Sequence, residues 1–240
     1  MDLRLHEVGL FLDVDGTLLD LAPRPDAVEV PPALIATLAA AERRLEGALA
    51  LVSGRQIEEL DRLFAPLRLR ASGIHGAEMR YLPNGASRFL TQRRLPRRAW
   101  MELLGLLEGF PGTLAENKCV SFAVHYRCTG PAAAELAAAL RRFRDRFAEL
   151  AVELIAGQQV YEIRLSGFDK GTAIRSFMAK APFASRCPVF IADDEMDRAG
   201  FDTAIALGGQ AFSVGKTLTG VSGCFPRPQA VRDWLGRLVE

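Results

Sequence analysis

Phe11-Leu12-Asp13-Val14-Asp15-Gly16-Thr17 closes the apolar run Val8 to Leu12 with two carboxylates one residue apart, then a glycine and a hydroxyl where the chain must turn. A strand end is a poor place for charge unless charge is wanted. In an open parallel sheet, ligands gather beyond the carboxyl ends of the strands, so Asp13 and Asp15 are expected to face a crevice there. Asp and Gly are also ordinary turn residues, and alone the stretch fits a strand followed by an acidic turn.

Outward from this point the chain alternates. Pro31 to Arg44 has helical spacing of Leu34, Leu38 and Leu45, and Ala48 to Val52 reads as a buried strand ending at Ser53 and Gly54. Arg55 to Phe64 continues as a helix with Ile57, Leu60 and Phe64 on one face. Gly73 to Leu82 is expected as a strand entering a tight two-residue turn at Asn84-Gly85. Near Arg93 the pattern changes. Trp100 to Leu107 and Ala132 to Phe147 have helical periodicity, whereas two segments alternate with period two. In the first, Val120, Phe122, Val124 and Tyr126 oppose Ser121, His125 and Arg127; in the second, Tyr161, Ile163 and Leu165 oppose Glu162 and Arg164. Such strands present a polar face to solvent or ligand. Beyond Gly167 the first pattern resumes, with a helix at Lys170 to Ala179 and a buried strand at Pro188 to Ala192 ending in Asp193 and Asp194. Short strands are expected at Thr203 to Leu207 and Ala211 to Val214, and a closing helix at Val231 to Val239. The expected fold is α/β: a doubly wound, mostly parallel, Rossmann-like core sheet built from residues 1–92 and 168–240. Residues 93–167 form a smaller inserted α+β cap domain.

Composition narrows the partners. With 49% hydrophobic and 25% charged residues among 240, the chain has the makings of an ordinary globular core. A net charge of +1 argues against nucleic acid or an anionic membrane surface, which leaves a small-molecule partner and a monomer or weak homo-oligomer. No apolar run approaches the roughly 18 residues of a membrane span. Cys119, Cys128, Cys187 and Cys224 lack metal-type spacing, and Met1 to Leu10 carries charge throughout, so reduced thiols in a cytoplasmic protein are expected.

These residues suit phosphoryl transfer. A carboxylate nucleophile can pass the phosphoryl group through an aspartyl-phosphate, but its approach to an anion needs positive charge to offset repulsion. Mg²⁺, held by one or two carboxylates, phosphate oxygen and water, meets that need. Asp13 and Asp193 are candidate carboxylates, leaving Asp15 for proton transfer. Ser53 offers a hydroxyl and backbone donors at the start of a helix, and Lys170 an ammonium at the start of another.

The ordered set Asp13-Val14-Asp15-Gly16-Thr17, Ser53-Gly54-Arg55, Lys170-Gly171 and Asp193-Asp194 with Asp197 resembles the four motifs of the haloacid dehalogenase superfamily of phosphotransferases. The resemblance implies Asp13 as nucleophile and Asp15 as general acid and base. It implies Asp13, Asp193 and the main-chain carbonyl of Asp15 as metal ligands, with Mg²⁺ as cofactor. Ser53, Lys170, Gly54 and Arg55 would bind phosphate, and Asp194, Asp197 and Thr17 would support the site from behind the ligands. The inserted segment occupies the position of the larger cap type, which closes over the leaving group. The pattern departs at Ala192, where glycine is usual, and at Glu195-Met196, where a hydroxyl is common.

More narrowly, the chain resembles the trehalose-6-phosphate phosphatases. The likeness runs through Leu51-Val52-Ser53-Gly54-Arg55, Gly73-Ile74-His75-Gly76-Ala77-Glu78, Glu116-Asn117-Lys118, His125-Tyr126-Arg127, Tyr161-Glu162-Ile163-Arg164 and Gly200-Phe201. It implies hydrolysis of trehalose 6-phosphate to trehalose and phosphate, the last step of trehalose biosynthesis. Glu116, Lys118 and Glu162 would hold sugar hydroxyls, aided by His125, Arg127 and His75.

Plainer roles exist for each residue taken singly. Ser53 suits a cap, Lys170 a solvated helix start, His75 a turn, and Glu116, Lys118 and His125 a solvated sheet face. Arg55 suits either phosphate or a pairing with Glu58 or Glu59. Trp100 and Trp234 suit the core. Gly215-Lys216-Thr217 is no nucleotide loop, because the earlier glycine it requires would fall at Gln210. Alternative functions are a phosphatase or mutase for another sugar phosphate, such as sucrose or mannosylglycerate phosphate, or a non-catalytic sugar-phosphate-binding module.

Overall fold

The computed structural model describes residues 5–22, 27–126, 133–157 and 159–240. The fold consists of two compact units, Met1–Leu90 with Phe168–Glu240, and Thr91–Gly167. Arg127 and Cys128 lie outside the described residues.

The first unit begins with β1 (Val8–Leu12), α1 (Pro32–Arg44), β2 (Leu49–Val52), α2 (Ile57–Leu63), β3 (Arg70–Gly73), β4 (Glu78–Arg80) and β5 (Arg88–Phe89). The second unit holds α3 (Arg97–Leu107), β6 (Leu114–Asn117), β7 (Ser121–His125), α4 (Ala133–Arg146), β8 (Val152–Gly157) and β9 (Val160–Leu165). The chain then completes the first unit with α5 (Lys170–Met178), β10 (Cys187–Ala192), α6 (Arg198–Ala206), β11 (Gln210–Val214), β12 (Gly223–Phe225) and α7 (Pro228–Val239).

The large sheet runs β12-β11-β10-β1-β2-β3-β4-β5, parallel from β12 to β3 and antiparallel at the β4 and β5 edge. β1 is buried along its whole length, as an uninterrupted apolar strand in a covered parallel sheet should be. Phe11 stacks on Phe183 at 5.0 Å between ring centroids, and Phe177 packs against both. From β1 the chain winds outward through β2 and β3, then returns on the other side at β10. The order therefore reverses at β1, the place where open α/β sheets bind ligands. Leu12 is level with Leu51 on one side and Ile191 on the other, so Asp13, Ser53 and Asp193 leave the sheet at the same edge.

Two expected elements are different. Thr203 to Leu207 is not a strand but belongs mostly to α6, where Gly200, Phe201, Thr203 and Ala204 are buried at helical spacing. Read without Gly200 and Phe201, the window hides that period. Gly73 to Leu82 is not one strand. It breaks at Ile74–Gly76, and β3 and β4 pair there as a hairpin through Gly73 and Glu78. The chain does turn near Asn84, whose φ is 57°: Gly85 N–H donates to Leu82 O at 3.0 Å and β4 and β5 pair antiparallel across it, but the connection spans 81–87 and is longer than two residues.

In the second unit the sheet order is β6-β7-β9-β8, antiparallel throughout. Trp100 lies 5.2 Å from Phe122 between ring centroids, and Trp234 of α7 packs on Phe225, so both tryptophans serve as packing residues. No helix among the described residues is long and apolar enough to cross a membrane.

Candidate active site

The loop after β1 turns sharply at Gly16, whose φ is 72° and whose missing Cβ leaves room for Asp193: a Cβ there would stand 2.0 Å from Asp193 Oδ2. Any side chain would displace that carboxylate. Asp13 and Lys170 are both buried, and Lys170 Nζ lies 2.7 Å from Asp13 Oδ1 and 2.6 Å from Asp197 Oδ1. Lys170 is thus not a solvated helix start. Its place is fixed by Asp169, the N-cap of α5, which accepts the Thr172 N–H at 2.6 Å. Thr17 Oγ1 lies 3.5 Å from Asp13 Oδ2.

Asp13, Asp193 and Asp197 each offer a ligand oxygen within 4.8 Å of the others. Three carboxylates around one lysine ammonium leave excess negative charge in a buried place, and Asp197 Oδ2 is buried with no hydrogen-bond partner. The donor set therefore fits a hard divalent cation. Asp197, expected behind the ligands, stands in the cluster itself. Asp194 accepts the Met196 N–H at 3.3 Å and caps the following 3-10 turn.

The electrostatics follow from that crowding. Burial pushes the Asp13 carboxyl up to about 7, with Lys170 opposing the rise and Asp197 adding to it. Burial likewise pushes Asp193 up to about 8, reinforced by Asp13 and Asp197. Burial alone would lower Lys170, but Asp13 and Asp197 hold its ammonium above the ordinary lysine value.

Asp15 points elsewhere. Arg55 grips it with Nε on Oδ2 at 2.7 Å and Nη2 on Oδ1 at 2.8 Å. Ser53 is buried; its N–H donates to Ser72 O, its carbonyl accepts from His75 N–H, and its Oγ accepts from Arg55 N–H at 3.1 Å. The hydroxyl thus shapes the turn, while Gln56 caps α2. His75 is buried against Gly54, with φ 50°. Sequence reading gave no sign of that contact.

The second unit carries a polar row. Across the sheet, Glu116 pairs with Ala123 and Ala123 with Glu162, which places two carboxylates on one face with only a methyl group between them. Lys118 Nζ bridges them, 3.2 Å from Glu162 and 3.7 Å from Glu116, and His125 Nε2 lies 3.4 Å from Glu116. Lys118 and Glu162 are buried, so this is no solvated sheet face. The structure brings Glu116, Lys118, His125 and Glu162 together within one unit and places His75 in the other.

Residues 11–216 match the family model described as trehalose-phosphatase. A probable trehalose-phosphate phosphatase of Sinorhizobium fredii (strain NBRC 101917 / NGR234) is 38% identical over 237 residues, covering 98% of this chain and 88% of the relative. The trehalose-6-phosphate phosphatase of Escherichia coli (strain K12) is 36% identical over 226 residues, covering 94% and 84%. Among solved structures, the C-terminal domain of the C. albicans trehalose-6-phosphate phosphatase superposes with a TM-score of 0.86 at 20% identity, covering 98% of this chain and 92% of that one, a likeness of fold.

Proposed function

The chain belongs to the trehalose-phosphatase family of phosphoric monoester hydrolases, and from that premise we propose that it hydrolyses trehalose 6-phosphate to trehalose and phosphate with Mg²⁺. The observation that supports this chemistry best is Asp13 itself: a buried carboxylate at the end of β1, 2.7 Å from Lys170 and clustered with Asp193 and Asp197. Asp13, Asp193, Asp197 and the main-chain carbonyl of Asp15 would hold Mg²⁺, whose charge offsets the repulsion between nucleophile and phosphoryl oxygens.

Asp13 attacks phosphorus, and the bond from phosphorus to the sugar C6 oxygen breaks as the aspartyl-phosphate forms. Asp15 gives a proton to the departing oxygen. It then takes one from the water that attacks the aspartyl-phosphate and releases inorganic phosphate. Lys170, Ser53 and the Gly54 peptide stabilise the transferring oxygens, which carry their greatest charge in the transition state. Glu116, Lys118, Glu162 and His125 receive sugar hydroxyls. A substrate lacking those hydroxyls would leave buried polar groups unpaired, which gives the site its selectivity. The free thiols Cys119, Cys187 and Cys224 suit the reducing cytoplasm.

Phosphate release by purified protein with Mg²⁺, measured over trehalose 6-phosphate, sucrose 6-phosphate and glucose 6-phosphate, tests this directly. Release from trehalose 6-phosphate well above the others is expected; no release from it overturns the assignment.

A further inference from the structure

Ile74 and His75 stand consecutively in the left-handed region, at φ 47° and 50°. For a β-branched residue such as Ile74 this is a marked outlier that the surroundings must enforce. Those surroundings are the two loops that carry Ser53 and Lys170. Ile74 N–H donates to Arg55 O at 2.9 Å and His75 N–H to Ser53 O at 3.0 Å, so the turn is tied to both neighbours of Gly54. The imidazole fills the space that a side chain at Gly54 would need: a Cβ there would be 2.5 Å from His75 Nε2. On the other side, a Cβ at Gly76 would stand 2.5 Å from the carbonyl of Asp169, the N-cap of α5 and the residue before Lys170. Gly73 is equally confined, with a Cβ 2.8 Å from Arg55 O.

Gly73-Ile74-His75-Gly76 is therefore wedged between the Ser53 loop and the first turn of α5. We propose that this strained turn sets the spacing between Ser53 and Lys170, and that His75 is a positioning residue that holds the Ser53-Gly54 peptide for phosphoryl transfer. His75 thus serves the reaction centre and not the sugar. The inference rests on the phosphatase function proposed above.

Kinetics of His75→Ala, His75→Gly, Gly54→Ala and the double variant Gly54→Ala/His75→Ala test it, on trehalose 6-phosphate and on p-nitrophenyl phosphate, which has no sugar. His75→Gly relieves the backbone, and its melting temperature, measured beside its kcat, separates a folding defect from a positioning one; His75→Asn, which tolerates the left-handed region, supplies a second ring-free variant. A displaced phosphate loop should cost roughly 10- to 100-fold in kcat on both substrates, with KM for the sugar phosphate moving less than about threefold. Gly54→Ala should lose at least as much. Removing the ring makes room for the new methyl group, so the double variant should recover to the level of His75→Ala alone. Wild-type kcat in the His75 variants, a loss confined to KM for trehalose 6-phosphate, or additive effects in the double variant would each overturn the proposal. A wild-type protein that releases phosphate from neither substrate would instead overturn the phosphatase function beneath it.

Discussion

Arg55 holds both oxygens of Asp15, Nε on Oδ2 at 2.7 Å and Nη2 on Oδ1 at 2.8 Å, a fork that only a guanidinium can make. The pair holds the carboxylate proposed to exchange a proton with the leaving sugar. Asp15→Asn should lower kcat on trehalose 6-phosphate by about 10²- to 10⁴-fold. The loss should be much smaller on p-nitrophenyl phosphate, whose leaving group needs no proton. Equal losses on both substrates would remove Asp15 from the acid role.

Asp13→Asn keeps the shape of the site but removes the proposed nucleophile. Turnover should fall by at least about 10³-fold. An acid quench of the wild type during turnover should trap phosphate covalently on the protein, and the variant should trap none. Trapping in the variant would assign the nucleophile to another residue.

Proton linkage gives the cluster a signature in stability. Asp13 and Asp193 are raised to about 7 and about 8 by burial. A carboxyl whose folded value exceeds its unfolded value contributes stability that is fully present below about pH 4 and lost as pH rises through the folded value. Protein without a cation should therefore lose stability between about pH 4 and 8 on account of these two groups. Mg²⁺ binds the ionised carboxylates, so its stabilisation should grow over the same range. At 100-fold excess over Kd the rise in Tm at pH 8.5 should be roughly 5–10 °C, against little at pH 5. A rise independent of pH would contradict the linkage.

Lys118 and Glu162 are buried 3.2 Å apart. Lys118→Ala should destabilise the protein by about 3–5 kcal/mol, because it removes the ammonium that faces a buried carboxylate, as urea unfolding would show. Glu162→Gln keeps the volume. It should raise KM for trehalose 6-phosphate while leaving p-nitrophenyl phosphate turnover near the wild type. Unchanged KM in that variant would remove Glu162 from sugar recognition.

The strands and helices that carry the site were legible because their signals are local. Val8 to Leu12, Leu49 to Val52 and Val189 to Ala192 are apolar runs that stop at charge or hydroxyl, and Leu34, Leu38 and Ala41 mark the inward side of α1. The misreadings arose where a local signal met a tertiary constraint. Asn84-Gly85 does lie at a turn, between the antiparallel strands β4 and β5, yet the strand expected before it is already broken by an earlier hairpin at Ile74–Gly76, where packing against Ser53, Arg55 and Asp169 holds Ile74 and His75 in the left-handed region. Arg55 stands just before the helix that carries Glu58 and Glu59, but the carboxylate it grips lies 40 positions earlier.

The sequence by itself determined the chemistry: carboxylates, a hydroxyl and a lysine at strand ends and helix starts, in an order suited to phosphoryl transfer. Turn chemistry and apolar periodicity are written residue by residue, so this much needs no folded chain. The tertiary structure decided which groups meet. Parallel register sets Leu12 level with Ile191 and Leu51, so Asp13, Asp193 and Ser53 leave the sheet at one edge, the missing side chain at Gly16 leaves room for Asp193, and antiparallel register sets Glu116 and Glu162 either side of Ala123 beneath Lys118. Contacts between residues far apart in the chain depend on register and close backbone approach, and neither is encoded in any single stretch.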